Sequence, residues 1–185
     1  MKHPVSALAL GEFGWVQTLN FILSGVLLLA LDIGMYRILK SVKEAHRGMF
    51  LLACVGIGII GSGICTTDPV YGYPTELPLR TEQYTLTGIL HHYLTLMLFV
   101  CQPLTCFTFG RMFLVKKKLL WGMYSSATGF MMLLTFVMAG MGFIQHSGLI
   151  EIAGLCQRIS ILSGGLWITL LAIQLYIDPA FLRKR

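Results

Sequence analysis

Asp68, His91, His92 and Arg158 are the residues of this sequence whose types and settings could do chemistry. Arg158 lies inside a long apolar run, His91 and His92 open another, and Asp68 closes a third. A carboxylate, an imidazole and a guanidinium together equip a site for acid–base hydrolysis or for redox work. The two histidines are adjacent, and successive helical residues point about 100° apart, so they do not readily share one metal ion. A metal site would instead draw His91 together with Asp68, His146 or Glu151, which are suitable ligand types without a diagnostic spacing. Haem held by two histidines would need a partner for His91 on a facing helix, and the candidate is His146, in a short link between two apolar runs. The expectation is no metal and no cofactor.

Arg158 makes the strongest demand. Glu151, Gly154, Leu155 and Arg158 follow the i, i+3, i+4, i+7 rule and share one helix face. At 1.5 Å per residue the guanidinium sits roughly 10–14 Å in from the end of its span. A charge at that depth must face protein or water and must find acceptors. Asp68 and Glu151 are the expected partners, and Gln17 and Asn20, at comparable depth on the first run, can complete a polar cluster. Gln17, Asn20, Asp68, His91, Gln157 and Arg158 are therefore expected to line an outward-opening polar pocket. The competing reading is a structural cross-link that only fixes helix packing. Replacing Arg158 with Leu should do more harm than the same change at Arg80.

The elements that must position these residues follow from composition. Of 185 residues 56% are hydrophobic and 12% charged, with a mean hydropathy of +0.75. Soluble domains carry about 25% charged residues, so composition excludes both disorder and an ordinary soluble domain. The net charge of +6 does not point to nucleic acid, because the basic residues gather in short segments between apolar runs. Cys54, Cys65, Cys101, Cys106 and Cys156 show no CxxC pairing and read as small buried hydrophobes. No Walker loop, dinucleotide fingerprint or nucleic-acid module is present.

Five apolar runs are long enough to cross a hydrocarbon core of roughly 30 Å, at about 13–36, 48–66, 84–110, 119–144 and 149–177. The predicted fold is an all-α, polytopic membrane helical bundle of five transmembrane helices in a single integral membrane domain. The first run is too long for a signal peptide and lacks a cleavage site, so it is retained. Cys54, Gly58, Ser62 and Thr66 form a small-residue stripe that lets a neighbouring helix approach. His91, Thr95 and Gln102 fall on one face of the third run, which also carries Pro103. Lys and Arg number eleven on the side of the two basic connectors and the tail, against two, Lys2 and Arg80, on the other. That excess predicts a multi-pass protein of the cell membrane with its N-terminus outside and its C-terminus cytoplasmic.

Several stretches together resemble the domain-of-unknown-function 998 family of prokaryotic integral membrane proteins. They are His3-Pro4-Val5-Ser6-Ala7-Leu8-Ala9-Leu10-Gly11 with Gly14-Trp15-Val16-Gln17 and Asn20-Phe21, Thr67-Asp68-Pro69 with Gly72-Tyr73-Pro74, Gly88-Ile89-Leu90-His91, and Gly154-Leu155-Cys156-Gln157-Arg158. The resemblance implies a polytopic membrane protein and carries no activity with it. It also implies a further helix ahead of the His3-Pro4-Val5-Ser6 stretch, which this chain, starting almost there, is expected to lack.

Three functional classes stay open on the residues alone. One is a membrane protein whose outward pocket binds a lipid or a small ligand. A second is an intramembrane hydrolase or redox enzyme using Asp68, His91 and Arg158. The third is an accessory structural subunit whose buried polar groups serve helix association. Membrane lipids are the expected partners, and Lys116-Lys117-Lys118 reads as an orientation signal before it reads as a lipid site.

Overall fold

The computed structural model describes residues 2–69, 73, 84–144 and 148–182. Among these, a 3-10 turn at Val5–Leu10 precedes five long helices: α1 (Gly14–Leu39), α2 (Lys43–Ile64), α3 (Leu86–Val115), α4 (Leu119–Phe143) and α5 (Ile150–Ile177). All five are long and apolar enough to span a membrane. Their outer surfaces are apolar as well: Leu19, Leu27 and Ile33 on α1 and Leu120, Phe130 and Val137 on α4 are all exposed. Helices that are hydrophobic all round belong in a solvent as apolar as themselves, which is the bilayer. The protein is a membrane helical bundle.

Each helix packs against its neighbours in the chain, while α1 and α5 share no extensive contact and meet through the 3-10 turn, which touches both. Small residues set the closest crossings. A Cβ on Gly25 of α1 would stand 2.7 Å from the Gly56 carbonyl of α2, and one on Gly58 would stand 2.9 Å from the Leu94 carbonyl of α3. Gly58 and Ser62 of the stripe expected on α2 thus seat α3, with Ser62 Oγ meeting Thr95 Oγ1 at 3.2 Å across that seam, while Thr66 lies beyond the end of the helix. At the end bearing the basic connectors, Trp167 packs 5.8 Å from Phe109 and donates its indole N–H to Ser125 Oγ at 2.8 Å. Phe181 and Leu182 fold back into the same core after α5 ends.

Helices α1, α2 and α3 run past the expected apolar stretches at the end bearing the basic connectors and stop short of them at the other end, where α2 ends at Ile64 rather than about 66 and α3 starts at Leu86 rather than about 84. α2 begins at Lys43 rather than about residue 48, and α3 runs on to Val115 rather than about 110. Apolar runs mark the part of a helix inside the hydrocarbon, but the backbone keeps its hydrogen bonding beyond it. Ala45, Met112 and Phe113 bury one side of these extensions while Lys43, Arg47 and Arg111 stay exposed on the other. Four of the residues counted as connector cations (Arg37, Lys43, Arg47 and Arg111) are therefore helical. Helix α3 continues through Pro103, and next to it Thr105 Oγ1 donates to the Cys101 carbonyl at 2.8 Å. The basic tail from Arg183 to Arg185, Arg80 and His146 lie outside the described residues.

Candidate functional site

Four of the six side chains expected to line one pocket, Asp68, His91, Gln157 and Arg158, fall into two hydrogen-bonded groups at one end of the bundle, and Gln17 and Asn20 join neither. The first group ties the N-terminal segment to α5. Gln157, buried on α5, accepts the Val5 N–H through Oε1 at 2.8 Å. Val5 opens the 3-10 turn, whose leading residue Pro4 makes no side-chain cap, so this donor would otherwise lack a partner. Arg158 Nη1 donates to the His3 carbonyl at 3.0 Å and to the Gly154 carbonyl of its own helix at 2.8 Å. The guanidinium thus finds backbone acceptors, whereas Glu151, one of its expected partners, pairs with Lys2 at 3.0 Å in an exposed ion pair.

The second group locks the α2–α3 junction. Asp68 takes the Thr85 hydroxyl on Oδ1 at 2.6 Å and the Thr85 N–H on Oδ2 at 3.1 Å, and Thr85 Oγ1 in turn accepts the Gly88 N–H at 3.0 Å. This is a nested cap on the first turn of α3, and a side chain on Gly88 would fall onto the Asp68 carboxylate. His91 Nδ1 donates toward the carbonyls of Cys65, at 2.7 Å, and Ser62, at 3.0 Å, at the end of α2 where helical carbonyls run out of partners. His91 Nε2 is buried with no partner, as is Gln17 Nε2. Asn20 is exposed and accepts from Ser24 at 3.5 Å. The His3 ring lies 5.4 Å from that of Tyr73 in the connector after Asp68, a contact that joins the two groups.

Both oxygens of Asp68, Nδ1 of His91 and Nη1 of Arg158 are therefore engaged by protein. Asp68 also walls a hollow of about 320 Å³ with Thr67, Gly88, His92 and Tyr93, but the α5 residues do not reach it. No cluster of three His, Cys, Asp or Glu capable of holding a metal occurs among the described residues.

Two residues that the expected pocket omitted stand out in the structure. Asp32 lies within α1 with its Oδ1 buried and unpartnered. Gln102 is more informative. It is 4% exposed, and neither its amide nitrogen nor its carbonyl oxygen has a protein partner. It lines a lateral cleft of about 430 Å³ where α1 and α5 stand apart, with Leu28 of α1, Leu98 and Phe99 of α3, Met132 of α4 and Gly164 and Ile168 of α5. The hydroxyl of Thr169, also on this cleft, already donates to the Gly165 carbonyl at 2.9 Å. Gln102 stands about 24 Å along α3 from Leu86 and about 20 Å from Val115, near the middle of the span. The face carrying His91, Thr95 and Gln102 was visible in the sequence. That its innermost amide would go unpaired depends on how far apart α1 and α5 stand.

Compared with known proteins, a family model described as a protein of unknown function (DUF998) matches residues 1–174. No curated protein and no solved structure matches the chain.

Proposed function

We propose, from the premise that this chain belongs to the DUF998 family of proteins of unknown function, that it binds a neutral, membrane-dissolved molecule in the cleft between α1 and α5. The observation that carries this reading is that Gln102, a residue lining the cleft, has an amide buried and unpaired on both its donor and its acceptor atom, while the other lining residues, apart from Ser24 and Thr169, are apolar or glycine. Leaving a buried polar group without a partner costs about 1–3 kcal/mol, and an occupant that supplies one recovers it. The cleft volume of about 430 Å³ is in the range of small-molecule sites.

Depth narrows the chemistry of the occupant. An ionised group near mid-bilayer is costly, so the polar part of the ligand is uncharged. A carbonyl accepts from Gln102 Nε2, and a hydroxyl can satisfy either atom. The ligand is thus an apolar ring or chain bearing a carbonyl or hydroxyl, and it enters sideways from the lipid. Asp68, His91, Gln157 and Arg158 serve this reading as the frame. They hold the α2–α3 junction and the N-terminal segment, and that segment is what bridges α1 to α5 above the cleft.

Equilibrium binding in lipid nanodiscs tests it, with decyl-benzoquinone as the carbonyl-bearing probe and decane as its hydrocarbon control. Saturable retention of the quinone with only bulk partitioning of decane is expected. Equal, non-saturable uptake of both would remove the cleft as a binding site.

A further inference from the structure

A second hollow, of about 620 Å³, opens at the opposite end of the bundle between the first turns of α2 and the last turns of α3. Lys43 and Arg47 line it from α2, Arg111 from α3 and Lys116 from the residue that ends α3, with Glu44 the single carboxylate among the described lining residues and Met112 part of its wall. Lys43 and Arg47 are four residues apart and share a helix face, as do Arg111 and Val115, so the convergence is built by two helical faces. The excess of like charge is therefore placed around one concavity by regular structure.

A topology signal requires only that cations lie on one side of the membrane; it does not require them to converge. Other cations on this side behave as such a signal allows. Lys40 and Lys117 lie outside the hollow, and Lys118 rests its ammonium 5.0 Å from the centre of the Phe181 ring. Among the described residues, none of the four lining cations forms an ion pair; the ion pair that is formed, Lys2 with Glu151, lies at the other end. Four cations against one carboxylate repel one another, and a bound anion relieves that repulsion. The N-terminus of α2, which has no side-chain cap, adds its partial positive charge to the same hollow.

We infer that this hollow binds a phosphate group, with Arg47 and Arg111 as the bidentate donors and Lys43 and Lys116 as flanking point charges. The net positive excess suits a dianionic phosphate monoester better than a singly charged diester. Met112 and Val115 give the wall an apolar side continuous with the span, which suits a monoester carried on a lipid, and a soluble phosphate presents the same chemistry. This site is independent of the cleft at Gln102.

The test compares protein in nanodiscs of zwitterionic lipid with and without phosphatidic acid or phosphatidylglycerol, and with inorganic phosphate or glycerol phosphate added to the zwitterionic discs. Retained lipid is read by native mass spectrometry and soluble phosphate by calorimetry. The expected result is preferential retention of phosphatidic acid, lowered by about tenfold or more in the double variant Arg47→Gln/Arg111→Gln. The charge-matched control Lys40→Gln/Lys117→Gln should change it by less than about twofold, and Arg47→Lys/Arg111→Lys, which keeps the charge and hence the topology, should weaken it to an intermediate degree. Saturable binding of the soluble phosphates, lost in the same double variant, would assign the site to a soluble ligand instead. Equal losses in the two glutamine pairs, or no preference of the wild type for any phosphate, would overturn the inference.

Discussion

Replacing Gln102 with Leu separates a binding amide from a structural one, because the two roles predict opposite signs. In the ligand-free protein the amide is buried at 4% exposure with both polar atoms unpaired. Leu has a similar volume and no polar atoms, so the variant sheds a penalty of about 1–3 kcal/mol and should be more stable than wild type by an amount in that range. Ligand should act the other way. Wild type in decyl-benzoquinone at about 100 times its dissociation constant gains about 2.7 kcal/mol. Without the amide the probe loses one hydrogen bond, net about 0.5–1.5 kcal/mol, and its affinity falls roughly two- to twelvefold. Reversible unfolding in bicelles, with and without the probe, measures both quantities in one experiment. A variant less stable than wild type in the absence of ligand, or one that responds to the quinone as wild type does, would refute the reasoning.

Three further outcomes follow from the frame. Arg158→Leu removes both carbonyl contacts and should release residues 2–5 from α5, costing about 1–3 kcal/mol and exposing the segment to protease, while Arg158→Lys should retain part of the protection; unchanged proteolysis would discount the clamp. Gly88→Ala drives a methyl group onto the Asp68 carboxylate and should destabilise by about 1–3 kcal/mol, as seen in denaturant unfolding, whereas Ala at Gly34, whose surroundings are open, should be nearly neutral. Lys2→Cys should react with a membrane-impermeant maleimide added to intact cells and Lys117→Cys should react only after lysis, as the eleven-to-two cation count requires; the reverse pattern would invert the topology.

The helices were legible because the bilayer imposes a length on apolar runs, and five such runs could be read directly. Their ends were not, because Lys43, Arg47 and Arg111 belong to helical turns that protrude beyond the apolar stretch. The 3-10 turn at Val5–Leu10 escaped because the partner of its Val5 N–H is Gln157, more than 150 residues away, and no local side-chain cap marks its start. Depth along a span follows from residue counting, and on that ground Arg158 was expected to need acceptors. Which groups would provide them was not legible, since helix azimuth and loop path decide between Asp68 and the His3 carbonyl. Gln102 shows the same boundary. Its face was apparent from its spacing to His91 and Thr95, but an unpaired amide exists only because α1 and α5 leave a gap beside it.

The central claim is that the Gln102 amide pairs with a neutral polar group of a molecule lodged in the cleft. Side-chain amide resonances of nitrogen-15 glutamine-labelled protein in nanodiscs address it directly, with the Gln102 signal identified by its disappearance in Gln102→Leu. Adding decyl-benzoquinone should shift that signal in a saturable way, while decane at the same loading leaves it in place. A Gln102 resonance that ignores the quinone, or that moves equally with the hydrocarbon, would contradict the account.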